Sequence, residues 1–102
     1  MTIDKTFKVL SNPIRLDIFK HILNEACECD LKNEEKISGN CVTQIAKELN
    51  LPQPTVSNHV KELLNAKLVK GVRRGKNIFL FGNKDVAKEV IVFCKEYLEK
   101  TL

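Results

Sequence analysis

The chain has no apolar run approaching the roughly 18 residues of a membrane span. Its opening MTIDKTFKVL also lacks the long apolar core of a secretory signal. Both absences lead to the expectation of a cytoplasmic protein with no membrane partner. Internal repeats and low-complexity tracts are missing too, which removes solenoids and disordered linkers. So are a Gly-rich phosphate loop, a nucleophile elbow and paired catalytic carboxylates. With 102 residues there is room for one core and little for a catalytic pocket with its supporting shell, so no enzyme is expected. Acid is scarce in one place above all. Between Gln53 and Lys84 the only acid is Glu62, against Lys61, Lys67, Lys70, Arg73, Arg74, Lys76 and Lys84.

What is present is an ordinary globular composition, 43% hydrophobic and 29% charged, read as a single domain over 1–102. The net charge of +4 is unevenly spread: residues 1–40 hold six bases against seven acids, and residues 41–102 eleven against six. A basic block inside a folded segment suits a phosphate backbone, although short basic stretches are often only solvated faces. In a reducing compartment the four cysteines read as free thiols, a metal site or a redox switch rather than as disulfides.

Hydrophobic spacing predicts a first helix over 2–10, with Ile3, Phe7 and Leu10 at helical intervals. Asn12-Pro13 starts a second, the Asn as cap and the Pro in the first turn, with Ile14, Ile18 and Ile22 on one stripe and an end near Asn24. Residues 25–40 break every period and read as an acidic loop. Val42, Ile45, Ala46 and Leu49 then define a short helix for which Asn40 is the expected cap. Leu51-Pro52-Gln53-Pro54 interrupts the pattern, and a second helix follows at once with Val56, Val60, Leu63 and Leu64 inward.

Two helices over 41–66 joined by so tight a turn are a helix-turn-helix candidate. The outward side of the second carries Thr55, Ser57, Asn58, His59 and Lys61, where an ordinary surface helix favours Glu and Lys. Such groups donate to and accept from base edges in a major groove, whereas the plainer alternative is a solvated helix of a small bundle. Beyond Leu68 the period changes to strand, and LVKGV and IFLF flank Arg73-Arg74-Gly75-Lys76-Asn77. That predicts a hairpin over 69–82 with a cationic tip facing phosphates or a minor groove. A last helix over 84–101 carries an apolar stripe (Val86, Ala87, Val90, Ile91, Cys94, Tyr97, Leu98) wider than one small domain needs, so part of it is expected against another subunit. The fold class is thus mainly α with a small β-hairpin, in the winged-helix order α-α-α-α-β-β-α.

The residues themselves resemble the ArsR/SmtB-type metalloregulatory repressors. Leu10-Ser11-Asn12-Pro13-Ile14-Arg15-Leu16 is similar to that family's opening motif "L-x-x-P-x-R-L". Leu51-Pro52-Gln53-Pro54-Thr55-Val56-Ser57-Asn58-His59-Val60 resembles its recognition segment "L-S-Q-P-T-V-S-x-H-L", with Pro52 departing from the usual Ser, and Gly75-Lys76 followed by Ile78-Phe79-Leu80-Phe81 resembles its wing. The resemblance covers nearly the whole chain. It implies a homodimer through the first and last helices, with two recognition helices in successive major grooves of a palindromic operator on double-stranded DNA. Carried over by position, the DNA-contacting group is Gln53, Thr55, Ser57, Asn58, His59 and Lys61, with Arg73, Arg74 and Lys76 on the wing.

The resemblance also implies a repressor released by an inducer, often a soft metal or metalloid on thiolates. Cys41-Val42-Thr43-Gln44-Ile45 stands where arsenic- and cadmium-type sensors carry "C-V-C-D-L", with Thr43 replacing the second Cys. Cys27-Glu28-Cys29-Asp30-Leu31 repeats that string about a dozen residues earlier. Folded back, the loop would join Cys27, Cys29 and Cys41 as three soft donors for As(III), Cd(II) or Pb(II), or for Zn(II) with a fourth ligand. A thiol redox or persulfide switch and inert cysteines are the alternatives. The segment 84–102 has no His, so the family's carboxylate–histidine metal site on the last helix is not expected. Outside the repressor reading stand a nonspecific nucleoid-type DNA binder and a winged-helix protein-interaction module.

Overall fold

A computed structural model describes residues 3–26 and 41–101 of the chain. In order it has α1 (Ile3–Leu10), α2 (Pro13–Ala26), α3 (Val42–Leu49), α4 (Gln53–Asn65), β1 (Val69–Arg74), β2 (Asn77–Gly82) and α5 (Lys84–Thr101). This is the winged helix-turn-helix arrangement the sequence predicts. No described helix is long and apolar enough to cross a membrane.

Local chemistry accounts for most of the boundaries. Asn12 caps α2, its Oδ1 accepting the Arg15 backbone N–H at 3.1 Å, and Pro13 occupies a first-turn position that needs no donor. The helix continues to Ala26, two residues past the expected end. At α3 the expectation of an Asn40 cap is corrected. Cys41 is the N-cap residue, extended at φ −88° and ψ 159°, with no side-chain capping bond. Its backbone instead forms an isolated antiparallel bridge to Phe79 of β2, so the start of α3 is fixed by pairing with the hairpin. Asn50 ends α3 in the left-handed region at φ 55°, and the Leu51 N–H returns to the Ala46 carbonyl at 2.9 Å. Pro52 then stands extended before α4 and offers no side-chain cap; Pro54 sits in the first turn.

The hairpin is tighter than expected. Arg73 and Arg74 belong to β1, opposite Ile78 and Asn77, which leaves Gly75-Lys76 as a two-residue loop. Gly75 takes φ 61°, the conformation a Gly-X hairpin turn requires at its first position. At the other end, Asn83 ties hairpin to helix. Its amide donates to the Lys67 carbonyl at 2.7 Å, and its Oδ1 accepts the Asp85 N–H at 3.1 Å, capping α5.

The core lies where α2, α3, α4 and the hairpin meet. Ile18 and Ile22 of α2, Ile45 of α3, Val56 and Leu63 of α4 and Leu80 of β2 are almost wholly buried. His21 of α2 faces Glu48 of α3, Nε2 to Oε2 at 2.6 Å, which fits a structural residue rather than a ligand. The outer helices behave differently. In α1 the buried residue is Thr6, while Phe7 is 46% exposed and packs edge-on against Phe93 of α5, ring centres 5.4 Å apart. Helical spacing places Phe7 near Ile3 and Leu10, but docking of α1 turns the Thr6 side inward. Along α5 only Val86 is buried; Ile91, Val92, Phe93, Tyr97 and Leu98 are exposed in the single chain.

Candidate nucleic-acid interface

The surface that can meet DNA is built from α4 and the hairpin. Val56, Val60 and Leu63 hold α4 on the core, and this fixes which residues the helix turns outward. Gln53, Ser57, Asn58 and Lys61 are exposed, and no hydrogen bond or ion pair within the described residues engages their side chains. Thr55 is half-buried beside them. The helix thus offers short polar groups and one cation, all uncommitted. Chemically, such a face can hydrogen-bond base edges or phosphate oxygens.

His59 is the member of the predicted group that the structure places differently. It is half-buried, and its Nδ1 accepts a hydrogen bond from Arg15 Nε at 3.3 Å. The same guanidinium donates through a second nitrogen to the Val9 carbonyl at 3.0 Å. Arg15 therefore links the last turn of α1, the first turn of α2 and the middle of α4. Burial, and then the Arg15 charge, hold the His59 pKa below its ordinary value, while Glu62 pulls the other way. A neutral imidazole is what this contact needs, because a protonated ring would lose the acceptor and face a guanidinium.

Arg15 is the residue beside this surface that reading by position passes over. It stands in the quoted opening motif, three residues after the Asn12 cap, yet its side-chain partner is 44 residues away. The motif itself was the available signal. Nothing local connects it to α4.

On the hairpin, Arg73 and Lys76 are exposed and Arg74 is half-buried. Side chains alternate across a strand, so Arg73 and Arg74 leave β1 on opposite faces and do not form one cationic tip. Lys76 in the loop is the outermost of the three along the hairpin.

Of the three proposed thiolates only Cys41 is described; Cys27 and Cys29 lie outside the described residues. Cys41 is half-buried and unpaired, next to α3 and bridged to β2. Cys94 is free and exposed on α5. Among the described residues no group of three or more His, Cys, Asp or Glu side chains is arranged to hold a metal ion.

Comparisons with known proteins agree with this geometry. Residues 35–70 match the family model described as bacterial regulatory protein, arsR family. An uncharacterized HTH-type transcriptional regulator of Methanocaldococcus jannaschii is 32% identical over 90 residues, covering 88% of each chain. Among solved structures, reduced HlyU of Vibrio cholerae matches with a TM-score of 0.64 at 19% identity, over 93% of this chain and 87% of that one. A homodimeric winged helix-turn-helix DNA-binding domain of Mycobacterium bovis matches with a TM-score of 0.64 at 23% identity, over 94% and 81%. At these identities the structural matches speak for the fold, the M. jannaschii relative for an HTH-type transcriptional regulator, and the match over residues 35–70 for the arsR family. The chain belongs to the ArsR family of helix-turn-helix transcriptional regulators, a winged-helix DNA-binding protein and not an enzyme.

Proposed function

We propose that the chain acts in the cytoplasm as a homodimeric repressor of a palindromic operator. The observation that carries this reading is the uncommitted polar face of α4 beside an exposed cationic hairpin, with Glu62 the only acid from Gln53 to Lys84. Gln53, Thr55, Ser57 and Asn58 read base edges, and Lys61, Arg73, Arg74 and Lys76 neutralise phosphates. His59 contributes mainly by holding α4 through Arg15. Two copies are joined by α1 and α5, whose exposed apolar residues favour such burial. The homodimeric M. bovis neighbour lends this arrangement support.

The inducer in this reading is a soft ion, As(III), Cd(II), Pb(II) or Zn(II), on Cys27, Cys29 and Cys41. Cys41 supports it by position: it starts α3 and pairs with β2, so filling a site there pulls on both the helix-turn-helix and the hairpin. A redox or persulfide switch is the second reading, favoured by the free thiols of Cys41 and Cys94.

The test is binding of the reduced protein to DNA from its own promoter and to a scrambled duplex, with and without each ion. A preference of roughly 10³-fold or more for the promoter is expected of a specific regulator. Equal affinity for both duplexes means a nucleoid-type binder, and no duplex binding an interaction module. Release by an ion at three thiols per site, lost in Cys41→Ser, is the expected response. If oxidant or persulfide releases DNA and no ion does, the second reading stands instead.

A further inference from the structure

The Arg15 side chain is fixed at its root and forked at its end. Its backbone N–H is held by Asn12 Oδ1 at 3.1 Å, and the next N–H, of Leu16, by the Asn12 carbonyl at 2.9 Å. The Cα is thereby set in the first turn of α2. The guanidinium reaches acceptors on two other helices, the Val9 carbonyl at 3.0 Å and His59 Nδ1 at 3.3 Å. That carbonyl is one of the last four of α1, which have no partner within the helix, and a cation there also meets the negative end of the helix dipole.

The two helices at the fork are held by different means. α4 sits on the core through Val56, Val60 and Leu63. In α1 Thr6 is buried and Val9 and Leu10 rest against the edge of the core, while Phe7 packs on Phe93 of α5. α5 itself buries only Val86, so the seating of α1 depends on α5 and on whatever covers the pair. On α4, His59 follows Asn58 directly and lies one turn beyond Thr55, at the border between the buried side and the exposed polar one. A turn of α4 that follows the imidazole carries Ser57 and Asn58 with it.

We propose that Arg15 is a positioning residue for operator recognition, which makes the setting of α4 follow the seating of α1. The inference rests on the regulator reading above and adds the route by which a contact at α1 reaches the face that reads DNA. The donors of a guanidinium are fixed in one plane. An acceptor displaced at Val9 therefore rotates the fork and changes the bond to His59. At 3.3 Å that bond stands at the long end of the hydrogen-bonding range, so a sub-ångström displacement breaks or tightens it. Base-edge contacts demand an exact setting of α4, whereas phosphate contacts carry no sequence information. Arg15 thus governs preference for the operator rather than affinity for DNA in general. By linkage, operator binding acts back on α1 to the same extent.

The test has two readouts on the full chain. The first is the nitrogen NMR signal of His59 Nδ1, identified among two histidines by its absence in His59→Asn. Phe7→Ala, which loosens α1 from Phe93, is expected to shift that signal, and the same change made in Arg15→Met to leave it unmoved. The second is the ratio of affinities for promoter and scrambled duplex, at protein concentrations where sedimentation gives one assembly state. Arg15→Met is expected to lower the ratio about tenfold, the worth of one hydrogen bond, with scrambled-duplex affinity and salt slope unchanged. Arg15→Lys is expected to do the same, because one ammonium does not span both acceptors, and it serves for every comparison if Arg15→Met loses helix content. Phe7→Ala is expected to lower the ratio in the unmodified chain and to add nothing in Arg15→Met. The proposal is overturned by a His59 signal indifferent to Phe7→Ala, by additive effects of the two changes, or by full preference in Arg15→Lys. A salt slope smaller by about 0.9, with both duplexes weakened equally, also overturns it and makes Arg15 a phosphate contact. Absence of promoter preference in the unmodified protein refutes the regulator reading, whereas a preference insensitive to Arg15 refutes the positioning role alone.

Discussion

Helices α4 and α5 both run along the surface, yet they turn opposite chemistry outward. α4 buries Val56, Val60 and Leu63 and exposes Gln53, Ser57, Asn58 and Lys61. α5 buries Val86 alone and exposes Ile91, Val92, Phe93, Tyr97 and Leu98. A polar exposed face is satisfied by water until a nucleic acid replaces it, so α4 holds its place in a free chain. An apolar exposed face gains only when another surface covers it. One helix is thus anchored by its own core with a polar face outward, while the other leaves an apolar face outward that the proposed dimer would cover.

Four perturbations break or sharpen that contrast. The largest effect is expected from Leu63→Ala, which opens a cavity under α4 and costs about 2–5 kcal/mol in denaturant unfolding. A cost well below 1 kcal/mol would mean that α4 is not anchored as described. Next comes Phe93→Glu with Leu98→Glu. In sedimentation equilibrium the pair is expected to weaken self-association about a hundredfold, about 2.7 kcal/mol, by burying charge in an apolar interface. Unchanged association would remove Phe93 and Leu98 from the proposed dimer contact.

Smaller again is Arg73→Ala with Lys76→Ala. Operator affinity is expected to fall about tenfold, and the slope of log affinity on log salt to decrease by about 1.8, two counterion-releasing contacts at 0.9 each. An unchanged slope would remove the hairpin from the DNA contact. The smallest effect concerns His59. Its folded pKa lies below the unfolded value of about 6.5, so the unfolded chain binds more protons between the two. The stability contributed by the neutral ring is present above about pH 6.5 and lost as pH falls through the folded pKa. Melting temperature followed from pH 7.5 down to 5.5 is expected to fall less steeply in His59→Asn, whose amide oxygen still accepts from Arg15. Equal slopes would show that the Arg15–His59 contact does not titrate.

The contrast between the two helices was only half legible beforehand. Outward polarity of α4 follows from the spacing of Val56, Val60 and Leu63, because three core residues at helical intervals leave one orientation. The α5 stripe could be seen too, and its width already suggested a second subunit. Which of its residues the single chain buries could not be seen, since that depends on where α1 and the hairpin end. The same limit hid Thr6. Its neighbour Phe7 is the apolar residue, and only the docking of α1 shows that the hydroxyl goes inward while the ring rests on Phe93.

By itself the sequence determined the element order, the Asn12-Pro13 helix start, the proline-bounded turn before Gln53, the glycine turn of the hairpin and the basic stretch that follows α4. These are contests between neighbouring residues, decided by backbone geometry and period over a few positions. Tertiary structure alone decided that Arg15 grips His59, that Cys41 pairs with Phe79, that Arg73 and Arg74 part to opposite faces, and that Thr6 of α1 is buried. Apart from the arginine pair, whose strand placement follows from the hairpin register, each joins surfaces distant along the chain. Periodicity states which residues share a face; it carries no record of which other face they meet.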